Sequence, residues 1–262
     1  MIYGAIIGDI VGSRFEFDKG PWTKNFELFT AECRFTDDTI MTVAVAEALH
    51  VVGENASLDK IKEECIDRMV DWGIHYPGAG YGLMFAEWLT NPVPYNSFGN
   101  GSAMRVSPAA WMYDDLDRVR EVARATAEIS HNHPEGIKGA EAIATAIWMA
   151  IQGYTKRYIR RAIIELFDYN LDTSVAEYSR NHVHIETCMD SVPKAMAAFV
   201  ESTSFEDAIR NAISIGGDTD TIAAITGSMA EAFYGVPEEL KDKCDQYLTH
   251  DILRRVRFFE NR

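Results

Sequence analysis

Apolar residues recur along most of this chain at steps of three and four, the period of a helix that buries one face. Segments with that period and good helix formers cover about 38–52, 58–75, 115–130, 134–152, 155–167, 191–202, 205–214, 219–234 and 237–248. In 219–234, Ile222, Ile225, Thr226, Met229 and Phe233 share one face, while Ala223, Ala224, Gly227, Ser228 and Ala230 fill much of the rest. A helix that small all round is predicted to lie buried among other helices. Convincing strands are missing, since β-branched runs such as Ile6-Ile7 are short and sit beside glycines. Turn chemistry joins the segments at Tyr76-Pro77-Gly78, Asn91-Pro92, His133-Pro134 and Gly235-Val236-Pro237. No stretch is low in complexity and no fixed-period repeat appears. The pattern predicts one compact all-α domain, residues 1–262, of about ten or more helices.

Composition adds limits on function. The 262 residues are 47% hydrophobic and 25% charged, an ordinary globular balance. A net charge of −15 excludes the broad phosphate-neutralising surface that duplex nucleic acid requires. The basic clusters Lys156-Arg157 with Arg160-Arg161, and Arg254-Arg255 with Arg257, read as solvated helix faces. Cys33, Cys65, Cys188 and Cys244 lie far apart without C-x-x-C spacing, so they read as reduced thiols. The first residues lack the basic region of a signal peptide, and no apolar run reaches the roughly 18 residues of a membrane span. A cytoplasmic protein without a membrane partner is expected.

The chemistry concentrates in two aspartate segments, Thr36-Asp37-Asp38-Thr39 and Gly216-Gly217-Asp218-Thr219-Asp220-Thr221, each just ahead of a strongly helical run. Either could simply cap its helix, since Thr and Asp suit the N-cap and first-turn acids suit the helix dipole. A cap needs one acceptor, however, and each segment supplies two carboxylates and two hydroxyls. If the two helices begin side by side, four carboxylates meet and repel unless protonated or neutralised. Two divalent cations would balance the four charges, and hard oxygen ligands without His or Cys favour Mg²⁺ or Mn²⁺ ahead of Ca²⁺. A third acidic element is Gly8-Asp9-Ile10-Val11-Gly12-Ser13-Arg14-Phe15-Glu16, whose glycines permit close backbone approach. Asp9 reads as a cap or salt-bridge partner. Glu16, between Phe15 and Phe17, is a candidate general base or mobile ligand.

Two glycine loops and a histidine loop complete the candidates. Ser97-Phe98-Gly99-Asn100-Gly101-Ser102 precedes a helix-compatible run, so its amides could cradle a diphosphate while Phe98 stacks on a base. A turn with an N-cap and a core phenylalanine are the simpler alternatives. Pro77-Gly78-Ala79-Gly80-Tyr81-Gly82 is a flexible loop that could line the same cleft through Gly80. In Ser130-His131-Asn132-His133-Pro134, His131 is a candidate phosphate or sugar contact. The H-x-H spacing there and in His182-Val183-His184 does not suit the oxygen-only metal site, and zinc is not expected.

In this order and spacing, the Gly-Asp-x-x-Gly element, Thr36-Asp37-Asp38-Thr39, Gly99-Asn100-Gly101-Ser102-Ala103-Met104-Arg105, the His131 loop and Gly217-Asp218-Thr219-Asp220-Thr221 resemble the ADP-ribosylglycohydrolase family over residues 2–236. The resemblance implies an all-α orthogonal bundle holding two Mg²⁺ or Mn²⁺ ions. It implies Thr36, Asp37, Asp38, Asp218, Asp220 and Thr221 as metal ligands, with Glu16, Asp37 or Asp38 as the base. It implies Ser97, Phe98, Gly99, Asn100 and Gly101 at the diphosphate and adenine, and His131 beside the distal ribose and phosphate. Phe98 stands where members of the family often have tyrosine, which keeps stacking but loses a phenolic hydrogen bond. The activity so implied is hydrolysis at C1 of the distal ribose of an ADP-ribosylated protein or small molecule. A weakly catalytic ADP-ribose-binding module and a two-metal phosphohydrolase acting on the diphosphate are the alternatives.

Overall fold

The computed structural model describes residues 1–17 and 19–260. These form fifteen helices. The first seven are α1 (Tyr3–Gly12), α2 (Asp37–Val52), α3 (Leu58–His75), α4 (Leu83–Trp88), α5 (Gly101–Met104), α6 (Ser107–Met112) and α7 (Leu116–Glu128). The remainder are α8 (Pro134–Ile151), α9 (Lys156–Phe167), α10 (Val175–Tyr178), α11 (Cys188–Glu201), α12 (Phe205–Ile215), α13 (Thr219–Tyr234), α14 (Glu238–Asp245) and α15 (His250–Glu260). No strand forms among the described residues, and the one isolated bridge joins Gly99 to Thr187. No helix among them is long and apolar enough to cross a membrane.

All nine segments predicted from periodicity are helical. The largest differences are in α11, which starts at Cys188 rather than at 191, and α14, which ends at Asp245 rather than at 248. The expected burial of 219–234 is also met, because α13 is buried from Thr219 to Glu231. Packed against it is α1, which the hydrophobic pattern leaves unassigned. Glycine stands at every fourth position of α1, and all three glycines face α13. A Cβ on Gly4 or Gly8 would overlap the carbonyls of Gly227 or Ala223, and one on Gly12 would lie 2.5 Å from Asp220 Cα. The two backbones therefore touch. Gly8→Ala is expected to lower stability by about 3 kcal/mol or more, at the upper end of overpacking costs. A denaturant midpoint unchanged from wild type would contradict this contact.

Buried acids cap neighbouring helices across the fold. Glu231 of α13 accepts the Gly4 amide at 2.9 Å and pairs with the Met1 ammonium at 2.9 Å, closing the start of α1. Asp9 of α1 does the same for α2, accepting the amides of Thr36 at 2.8 Å and Thr39 at 3.1 Å. Thr36 sits at the N-cap but makes no side-chain cap bond, and neither does Asp218 ahead of α13. Simple self-capping thus does not explain either aspartate segment.

The basic clusters are only partly solvated faces. Arg255 reaches the buried Glu47 at 2.8 Å, and Arg257 reaches Asp245 at 2.8 Å. Lys156 lies over the rings of Phe199, Phe233 and Tyr234. All four cysteines are free and buried.

Candidate active site

The α1–α13 contact brings Asp9 and Asp220 together, and α2 delivers Asp38 beside them. Carboxylate oxygens of Asp9, Asp38 and Asp220 lie within 4.8 Å of one another. A second group, Glu16, Asp218 and Asp220, meets the same limit, so Asp220 belongs to both. Thr221 Oγ1 donates to Asp38 at 3.1 Å, joining the start of α13 to that of α2. Asn100 Nδ2 donates to Asp218 at 2.6 Å and to Ser191 at 2.8 Å. The predicted approach of two segments about 180 residues apart is present.

Burial and mutual repulsion dominate the electrostatics of this cluster. Asp38 and Asp220 are held well above the usual carboxylate range, first by burial and then by neighbouring acids. Asp218 is raised by burial even though Asn100 pulls the other way. Asp9 is raised by burial against the donors of Thr36 and Thr39. Burial and then Asp9 push Asp37 up to about 8. Glu16 reaches about 7, through burial and then Asp218, with His184 and Arg34 opposing. The cluster lacks His and Cys, and Asp38 Oδ1 is buried without a hydrogen-bond partner. A hard divalent cation fits this arrangement, because it would occupy the orphaned oxygen and offset the repulsion.

All of these carboxylates except Asp9 line a cleft of about 550 Å³, ample for a nucleotide-sized ligand. Of the residues predicted from sequence, Glu16, Asp37, Asp38, Gly80, Ser97, Gly99, Asn100, Gly101, His131, Asp218, Asp220 and Thr221 line it. Two do not. Thr36 is buried beneath the cluster, and its Oγ1 donates to Asp9 at 2.7 Å. Phe98 is 44% exposed, outside the cleft lining, with its ring edge-on to His133 at 5.3 Å.

The loops are positioned by specific contacts. The Asp37 amide donates to Ala79 O at 3.0 Å, which holds the Gly80 loop at the start of α2. A Cβ on Gly101 would stand 3.0 Å from His131 Nε2, so glycine leaves room for the imidazole. Within the Gly99–Gly101 turn, the Gly99 amide is engaged by Ser97 Oγ at 3.1 Å and the Asn100 amide by Glu186 O at 3.1 Å. An anion cradle at this turn would therefore draw on the Gly101 and Ser102 amides, since those of Ala103 and Met104 donate to Asn100 O at 2.9 and 3.0 Å. The other histidines have separate work. His133 Nδ1 accepts the Glu135 amide at 3.1 Å and caps α8. His182 stacks on Trp22, and His184 pairs with Glu186 at 2.7 Å.

Some residues of the site are not marked by the sequence. Asp9 reads there as a cap or salt-bridge partner, and it does cap α2, but behind the cleft its oxygens also meet Asp38 and Asp220. Its signal was an acid within glycines spaced by four. Tyr81, Tyr95, Arg105 and Glu186 line the cleft; Tyr81 and Arg105 lie within stretches singled out from sequence without a role of their own, and nothing in the local pattern marks Tyr95 or Glu186.

Comparison with known proteins agrees with this geometry. The family model described as ADP-ribosylglycohydrolase matches residues 1–261. ADP-ribosylhydrolase ARH3 of Homo sapiens is 27% identical, covering 95% of this chain and 89% of that protein. ADP-ribosyl-[dinitrogen reductase] glycohydrolase of Rhodospirillum rubrum is 25% identical, covering 97% and 92%. ADP-ribosylarginine hydrolase Tri1 of Pseudomonas putida is 26% identical, covering 90% and 70%. A solved structure titled ADP-ribosylglycohydrolase-related protein complex shares the fold, with a TM-score of 0.71 at 20% identity over 97% of this chain and 93% of that one. A helical fold, an acidic cluster suited to a divalent cation and a match along nearly the whole chain converge on one conclusion: this protein belongs to the ADP-ribosylglycohydrolase family, and it is an enzyme of that kind.

Proposed function

We propose that the cleft hydrolyses the bond between C1 of the distal ribose of ADP-ribose and an acceptor, most plainly an arginine or serine side chain of a protein. The observation carrying this reading is the pair of carboxylate groups sharing Asp220 at one side of a nucleotide-sized cleft. In this reading Asp38, Asp218, Asp220 and Thr221 hold two Mg²⁺ or Mn²⁺ ions, with Asp9 and Asp37 completing the acidic shell and Thr36 fixing Asp9. When bound, such ions would supply charge to hold vicinal ribose hydroxyls and acidify a water.

The chain's own residues do the rest. Asn100 fixes the Asp218 carboxylate by donating to it at 2.6 Å. The Gly99–Gly101 turn and His131 contact the diphosphate and distal ribose. Glu16 is half-buried at the cleft, where burial and then Asp218 raise it to about 7 without ions, and it is the acid there that this reading leaves free of the ions to exchange a proton. Bond cleavage leaves oxocarbenium character on the ribose, and water oxygen bonds to C1 while a proton passes to the departing acceptor. Glu16→Gln is expected to lower kcat by about 100-fold, the lower range for acid–base groups. Wild-type kcat in that variant would remove Glu16 from proton transfer.

Product analysis tests the whole reading. Peptides ADP-ribosylated on a defined arginine or serine, and O-acetyl-ADP-ribose, are incubated with the protein and Mg²⁺ or Mn²⁺. Free ADP-ribose from at least one peptide is expected. AMP plus ribose phosphate would instead identify a phosphohydrolase, and no product from any substrate would identify a binding module.

A further inference from the structure

Arg105 is a buried charge that the reading above leaves without a task. It is fully buried, and its Nη2 donates to Thr126 O at 3.0 Å and to Ser130 Oγ at 2.8 Å. Burial pulls its guanidinium down only to about 10, so it stays charged at neutral pH. A guanidinium only donates, so the Ser130 hydroxyl accepts from it. That hydroxyl retains one proton to place. Its other side-chain contact is His131 Nδ1 at 2.8 Å, and among the described residues no further acceptor engages it. A fully buried hydroxyl proton takes the partner it has. Nδ1 is then an acceptor.

His131 is 4% exposed. Burial, and then the Arg105 charge, hold it well below the usual histidine range, so it is neutral. With Nδ1 occupied as an acceptor, the ring proton resides on Nε2. That nitrogen borders the cleft at the glycine turn, 3.0 Å from where a Gly101 Cβ would stand and 3.4 Å from a Gly99 Cβ.

We infer that Arg105 and Ser130 are positioning residues that lock His131 in its Nε2–H tautomer, making it a fixed donor to an oxygen of the bound ADP-ribose. The ligand identity rests on the proposed function; the tautomer does not. A fixed donor selects an acceptor on the ligand, such as a phosphate oxygen or a hydroxyl lone pair. It also cannot take up a proton at Nε2, so His131 contributes no general base and no ionisation to the pH–rate profile.

The test is a long-range ¹H–¹⁵N correlation spectrum of protein with ¹⁵N-labelled histidine rings at neutral pH, with His131→Asn to assign the signal among the seven histidines. The expected spectrum shows His131 protonated at Nε2 only, before and after ADP-ribose is added. In Ser130→Ala the single tautomer should give way to exchange between two, and the ADP-ribose Kd should rise by about 10-fold. Ser130→Thr, which keeps the hydroxyl, should retain the wild-type pattern. An Nδ1–H tautomer in the wild-type protein overturns the relay even if Ser130→Ala fails to fold. So does a folded Ser130→Ala protein with unchanged tautomer and affinity. If ADP-ribose binds neither protein, the proposed function falls, while the spectrum of the free protein still decides the relay.

Discussion

Asp220→Ala is expected to abolish hydrolysis of an ADP-ribosylated peptide while leaving the fold intact, and Asp38→Ala is expected to do the same. Asp220 carries the larger effect because its carboxylate belongs to both acidic groups. Loss of a residue that merely supports a metal ligand costs about 10–100-fold, so loss of a shared ligand should exceed about 100-fold in both activity and ion affinity. The stability effect has the opposite sign. Without metal, Asp220 is a buried acid held well above its usual range by burial and by Asp218 and Asp38. Removing it relieves repulsion, so the metal-free Asp220→Ala protein should melt no lower than metal-free wild type at pH 8. Activity at saturating substrate equal to wild type in either variant would refute the metal-centre reading. A collapsed thermal transition would show instead that the carboxylate supports the fold.

Chelation gives the second large effect. Activity should disappear with EDTA and return with Mg²⁺ or Mn²⁺. Stability should also acquire a pH dependence that the metal suppresses. Glu16 and Asp37 have folded-state values raised to about 7 and about 8. In the unfolded chain they titrate near the ordinary carboxylate value of about 4. The folded state therefore binds protons more tightly, and its added stability is complete below about pH 4 and lost as pH rises through 7 and 8. Between pH 6 and 8.5 the Tm of the metal-free protein should fall. An ion in 100-fold excess over its Kd adds about 2.7 kcal/mol, which is roughly 5–10 °C for a chain of this size. A metal-free Tm that is flat or rising over that interval, or one unmoved by Mg²⁺ and Mn²⁺, would contradict this account of the acidic cluster.

Local pattern suffices for part of this fold. Helices α2 and α13 were legible because their apolar residues keep a helical period, and the smallness of 222–230 announced burial. The paired aspartate segments were legible because each offers more oxygens than a cap can use. Helix α1 was not, because three glycines in ten residues depress helix propensity. Their purpose appears only once α13 lies against them. Helix α15 carries a signal in Ile252, Val256 and Phe259, spaced by four and three, but three arginines interrupt its apolar pattern. Phe98 illustrates a different limit. Its neighbours predicted a base-stacking ring, while the backbone turns that ring toward His133 and solvent. Arg105 was hidden for the converse reason, since burial of a charge depends on elements distant in sequence.

The contact between α1 and α13 also bears on how far this scaffold can be altered. Since no side chain separates the two backbones at Gly8 and Gly12, the spacing of Asp9 and Asp220 is referenced to main-chain atoms rather than to the fit of neighbouring residues. Core substitutions elsewhere can change volume without changing that spacing, much as a gauge block keeps its length whatever surrounds it. Acceptor preference could therefore be re-engineered at the exposed rim, through Phe17, Leu83 or Met84, with the acidic cluster left in calibration.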